Sequence, residues 1–182
     1  MIDLYKLHKN PKKLDFYKKY GRLLDIVIDE IGLRPGINFK RILHIIERSP
    51  EYAYLYARDI IKGRFIESEK YIMKSPIYGI NYADRILCGR WPEIENDIIQ
   101  NPKYAFYYAF NVIHGRWIDA EKYIKKDPQW AYNYARLVIK NRWQEAESYI
   151  KKDKDCWKDY CREFKLKPPR IERPYIILDD WL

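Results

Sequence analysis

Residues 101–126 read NPKYAFYYAFNVIHGRWIDAEKYIKK, and residues 127–152 read DPQWAYNYARLVIKNRWQEAESYIKK. The two stretches align without a gap, and the match extends outward in both directions. Pro50, Pro76, Pro102 and Pro128 are each 26 residues apart. They follow Ser49, Ser75, Asn101 and Asp127, all residue types whose side chains can accept a hydrogen bond from the first free N–H groups of a helix. Proline tolerates the first helical position because its missing N–H would be unpaired there anyway. A helix-start signal repeated four times at constant spacing defines a unit.

Counting the proline as offset 1, offset 3 holds Tyr52, Tyr78, Tyr104 and Trp130, and offset 4 holds Ala53, Gly79, Ala105 and Ala131. Offsets 7 and 8 are Tyr56-Ala57, Tyr82-Ala83, Tyr108-Ala109 and Tyr134-Ala135. With the apolar pairs Ile60-Ile61, Ile86-Leu87, Val112-Ile113 and Val138-Ile139, offsets 3, 4, 7, 8, 11 and 12 form one stripe of a 3.6-residue helix. This predicts a helix A of about 12 residues, roughly 18 Å long. A turn follows at Gly63-Arg64-Phe65, Gly89-Arg90-Trp91, Gly115-Arg116-Trp117 and Asn141-Arg142-Trp143. Its Gly or Asn is expected to be the left-handed residue that ends helix A. A shorter helix B, Ile66–Lys74 in the first unit, carries Glu69, Glu95, Glu121 or Glu147 and then an apolar pair. Neither helix is stable alone at this length, so neighbouring units must bury each other's faces. The expected fold is an all-α solenoid of four 26-residue helix-turn-helix repeats, 50–75, 76–101, 102–127 and 128–153, with helical caps at both ends. Residues 1–49 are expected to form a basic helical cap, 154–167 a capping helix in the register of a fifth helix A, and 168–182 an extended tail.

Composition agrees. Threonine is absent and valine scarce, while aromatic residues reach 16%, with 18 Tyr and 6 Trp; such a chain is poorly supplied for strands. No apolar run approaches the roughly 20 residues that span a membrane, and the lysine-rich start lacks the apolar segment of a secretory signal. Cys88, Cys156 and Cys161 form no C-x-x-C pair, and the odd count argues against a disulfide framework. A reducing cytoplasm is the expected setting, the host's if the protein is viral. The net charge of +9 is concentrated at the N-terminal end.

The run Gly115-Arg116-Trp117-x-x-Ala120-Glu121-x-Tyr123 … Asp127-Pro128, with Ala131-Tyr132 in the next unit, resembles a shortened tetratricopeptide repeat. It has that family's small residues, turn glycine, Ala-acidic pair in helix B and terminal proline, but its period is 26 against about 34. The same pattern is similar to short-repeat proteins of tailed phages. The resemblance covers about residues 38–165 and implies architecture; the phage likeness implies a host or host-defence protein as the partner.

In a repeat array, function is expected where the units differ. Phe65, Trp91, Trp117 and Trp143 hold one slot in every unit and are expected to pack, as are the offset-7 tyrosines. Arg64, Arg90, Arg116 and Arg142 each precede a Glu by five residues, which predicts a recurring ion pair rather than a phosphate ladder. Offsets 5, 6 and 9 lie off the stripe and vary. The candidate partner-binding residues are therefore Tyr54, Arg58, Phe106, Tyr107, Phe110, Tyr132 and Arg136, centred on the aromatic trio of the third unit. The expected function is a non-catalytic protein–protein interaction module or inhibitor. The alternative is nucleic-acid binding through the basic stretch containing Lys12, Lys13, Lys18, Lys19 and Arg22. The three histidines His8, His44 and His114 are far apart, and no metal-ligand spacing or phosphate-cradling loop is present, so neither a cofactor nor catalysis is expected.

Overall fold

A computed structural model of the chain describes residues 39–166. Among them every regular element is helical. A first helix, α1 (Phe39–Arg48), stands in the helix-B register ahead of the first proline. The four units then give α2 (Pro50–Tyr56) with α3 (Ile66–Ile72), α4 (Pro76–Tyr82) with α5 (Pro92–Ile98), α6 (Pro102–Tyr108) with α7 (Ile118–Ile124), and α8 (Pro128–Tyr134) with α9 (Gln144–Ile150). A fifth helix A, α10 (Lys154–Glu163), closes the array. Each helix A packs on its own helix B and on the helix A of the next unit, the arrangement of an α-solenoid.

The proline-preceding residues cap as their chemistry demands in three units. Ser49 accepts from the Tyr52 N–H at 3.3 Å, Asn101 from Lys103 and Tyr104, and Asp127 from Gln129 and Trp130. Asp153, with no proline after it, caps α10 in the same way. Ser75 makes no side-chain cap bond. Its carbonyl still accepts from Gly79 at 2.8 Å, so the backbone half of the cap and the fixed φ of Pro76 suffice to start α4.

Helix A does not end as expected. Its last five residues, Ala57–Ile61, Ala83–Leu87, Ala109–Ile113 and Ala135–Ile139, form a π-helical turn in every unit. The left-handed residue is the one before the glycine: Lys62, Cys88, His114 and Lys140, with φ between 52 and 57°. Gly63, Gly89 and Gly115 come next, and the N–H of each returns to the alanine carbonyl that opens its π turn, Gly63 to Ala57 at 3.2 Å. The wide turn inserts one residue, and the left-handed corner falls on a residue with a side chain, one before the glycine. The capping helix shows the alternative. It has no π turn, and its chain reverses at Lys165 (φ 51°), with Leu166 N–H bonded to Cys161 C=O, five residues back rather than six.

The small residues at offsets 4 and 8 are buried in all four units, which lets the helices approach closely. The second unit departs from the others in two slots that touch. Where the other units pair Ala53 with Ser68, Ala105 with Ala120 and Ala131 with Ala146, this one pairs Gly79 with Ile94. A Cβ at residue 79 would stand 3.3 Å from Ile94 Cδ1, so the glycine makes the room that the larger side chain fills.

Consecutive units are joined by a polar clasp. The Tyr82 hydroxyl accepts the Phe65 N–H at 2.7 Å and donates to Glu69 Oε1 at 2.9 Å, while Arg64 grips both oxygens of Glu69 at 2.9 Å. Tyr108 does the same to Trp91 and Glu95, Tyr134 to Trp117 and Glu121, and Tyr160 of α10 to Trp143 and Glu147. The four tyrosines are fully buried. The rings of Tyr82, Tyr108 and Tyr134 pack on the turn tryptophans of their own units, Trp91 at 5.2 Å, Trp117 at 5.0 Å and Trp143 at 5.1 Å, while the hydroxyls reach back to the unit before. The expected Arg–Glu pair is thus present in every unit, with a tyrosine of the next unit as its third member.

Candidate protein-binding face

The outward positions of helix A divide into two kinds. Offset 5 is buried throughout: Tyr54 is 6% exposed, Ile80 4%, Phe106 4% and Tyr132 7%. This corrects the expectation that it lies off the core. Helix A is flanked by the helix A of the following unit, and the offset-5 side chain falls into the crevice between them. Tyr54 meets Tyr78 at 6.1 Å, Phe106 meets Trp130 at 5.5 Å and Tyr132 meets Tyr160 at 6.4 Å. A single-helix stripe cannot show this second wall. Tyr54, Phe106 and Tyr132 are therefore packing residues between units.

Offset 9 is the open position. Arg58 is exposed there but held by Asp59 through two bonds of 2.7 and 2.8 Å, and it lies 5.4 Å from the Tyr54 ring. Its hydrogen bonds to Asp59 raise its pKa above the ordinary arginine value. Arg136 rests 5.9 Å from the Tyr132 ring, with Nη1 3.4 Å from the hydroxyl. In the third unit the slot holds Phe110, 41% exposed, stacked on buried Phe106 at 5.9 Å. Tyr107, 37% exposed, leans on both Phe106 and Trp130. The predicted aromatic trio is thus one buried ring carrying two presented ones, seated on the next unit's Trp130.

Phe110 also forms a wall of a groove of about 550 Å³ that crosses the π turns of units two, three and four. Asp84 and Arg85 line it at one end, ion-paired at 2.8 Å. Asn111, His114 and Gly115 line the middle, and Leu137, Val138 and Lys140 the other end. Of these residues, sequence reasoning singled out Phe110 alone. The missed signal was Leu137, an apolar residue in an offset that elsewhere holds Asp59, Arg85 and Asn111. His114, an ordinary surface position by sequence, belongs to the groove because the π turn rotates its slot onto this edge. Lys12, Lys13, Lys18, Lys19 and Arg22 lie outside the described residues.

Among the described residues no group of three or more His, Cys, Asp or Glu side chains could hold a metal, and no helix is long and apolar enough to cross a membrane. Compared with family models, curated proteins and solved structures, the chain matches none.

Proposed function

We propose that the protein is a non-catalytic binding module that takes a protein partner on the helix-A edge of units two to four. The observation that carries the reading is the presentation of Tyr107 and Phe110 on an otherwise regular array, beside a groove with an apolar wall. Large exposed aromatics on a rigid, packed base are what binding hot spots are made of. Their base is fixed, because Phe106 beneath them is buried against Trp130, so little ordering cost remains to be met on binding. The resemblance of the sequence pattern to short-repeat proteins of tailed phages is the ground for reading that partner as a host protein met in the host cytoplasm.

The test is site-specific photo-crosslinking in the native cell, with a photoreactive residue in place of Phe110 or Tyr107, and at Glu93 on helix B as the control. Capture of one protein from positions 107 and 110, and not from 93, is the expected result. Equal capture at all three positions would remove the assignment of this face.

A further inference from the structure

The groove has a candidate occupant in the chain itself. Leu166, the last described residue, follows the left-handed corner at Lys165 as Asn141 follows Lys140 one unit earlier, and its N–H is tied to Cys161 at 2.8 Å. The chain therefore leaves the array on the groove's edge, one helix beyond the unit that supplies Leu137, Val138 and Lys140. Packed helices stand about 8–10 Å apart, which puts the groove within one or two such spacings. The 13 residues from Leu166 to Asp179 can span up to ~43 Å when extended. Reach is not limiting.

Chemistry selects the segment. Near the exit the groove offers an apolar wall, Leu137 and Val138 facing Phe110, with Lys140 beside it. Lys140 makes no ion pair among the described residues, and Arg136 stands exposed on the same turn of helix. At the far end, Asp84 already neutralises Arg85. The complement is a strand of large apolar side chains with carboxylates among them. The sequence supplies it at Tyr175-Ile176-Ile177-Leu178-Asp179-Asp180-Trp181-Leu182. We propose that this segment seats in the groove of its own chain, Trp181 against Phe110 and Leu137, and Asp179 and Asp180 toward Lys140 and Arg136. A short tether gives such a segment an effective concentration in the mM range, so weak contacts suffice to hold it. The inference rests on the groove being a peptide-binding site.

The experiment uses the full chain with benzoylphenylalanine in place of Phe110. After irradiation, and digestion by an endoproteinase that cuts after glutamate and so spares the lysine variants, a cross-link within one chain to the peptide 173–182, inside the segment 171–182, is expected. Asp179→Lys with Asp180→Lys should lower its yield at least tenfold, and adding Lys140→Glu and Arg136→Glu should restore it. A label at Glu93 should not capture the segment, and an unchanged helical spectrum confirms that each variant folds. No cross-link to 171–182, a yield indifferent to the charge reversal, or cross-links only at dimer mass would each overturn the proposal. Capture of another protein from position 110 with none of 171–182 would overturn it while leaving the partner-binding reading in place.

Discussion

Replacing Tyr108 by Phe removes one oxygen atom and leaves the ring, its burial and its 5.0 Å contact with Trp117 in place. That oxygen makes two bonds. It accepts the Trp91 N–H at 2.6 Å and donates to Glu95 Oε1 at 2.8 Å. Glu95 keeps Arg90, at 2.8 and 2.6 Å, and so retains a partner. The Trp91 N–H has no alternative inside the interface. A hydrogen bond to a charged acceptor contributes about 1.5–3 kcal/mol, and a buried N–H left unpaired costs about 1–3 kcal/mol. The two overlap, and about 2–4 kcal/mol is the expected loss. With a urea slope near 2 kcal/mol/M, the unfolding midpoint falls by ~1–2 M. Tyr107→Phe, exposed and outside the clasp, should move it by less than ~0.5 kcal/mol. Units in a solenoid are coupled only to neighbours, so the damage is local. Amide exchange should quicken around Trp91 and Tyr108 before it does in α8 to α10. A Tyr108→Phe loss below ~0.5 kcal/mol, no greater than that of Tyr107→Phe, would refute the clasp as a stabilising joint.

Gly79→Ala in the Ile94→Ala background recreates the pair found in units three and four and should stabilise by about 0.5–1 kcal/mol, the ordinary helix gain; in the wild-type chain, with Ile94 Cδ1 at 3.3 Å, that gain should shrink or reverse, and a coupling energy near zero in a double-mutant cycle would refute the packing argument. His114→Gly relieves a left-handed side chain at φ 54° and should be neutral to stabilising by up to about 1 kcal/mol in a thermal melt. Glu95 titrates below the ordinary carboxylate range, first because Arg90 hydrogen-bonds it and, against opposing burial, because Tyr108 does too. A depressed folded pKa stabilises above the unfolded value, so this contribution should disappear as pH falls below about 4.5, and Glu95→Gln should flatten that part of a stability–pH curve. Tyr82 is pushed the other way, to about 12 by burial, and its contribution should persist to pH 10 and be lost as pH rises through 12.

The repeat was legible because proline, cap and stripe are local signals, and they marked the start of every helix A. The burial of Trp91, Trp117 and Trp143 and the Arg–Glu pairs were legible for a related reason, since a slot filled alike in every unit must answer to packing. What could not be read depends on geometry between units. The left-handed corner behind each π turn leaves no mark at the residue that adopts it, because Lys62, Cys88, His114 and Lys140 share no chemistry. Tyr54, Phe106 and Tyr132 were expected on the surface because a one-helix wheel has no second helix to cover them. The tyrosine clasp joins residues 13 and 17 apart in sequence, beyond the reach of any helical period.

The polar clasp between one described unit and the next is made by the same parts each time. A turn tryptophan or phenylalanine, an arginine and a glutamate in one unit meet a tyrosine in the next, and none of these sits at the open offsets 9, 10 and 13. Any cassette of this kind can therefore follow any other with the clasp intact, only the offset-5 packing having to adjust, and duplication, deletion or reordering of whole units is a short route to a new surface. The outward residues become lettering on interchangeable blocks: Asp84, Phe110 and Arg136 are three settings of one dial, each turned without touching the clasp.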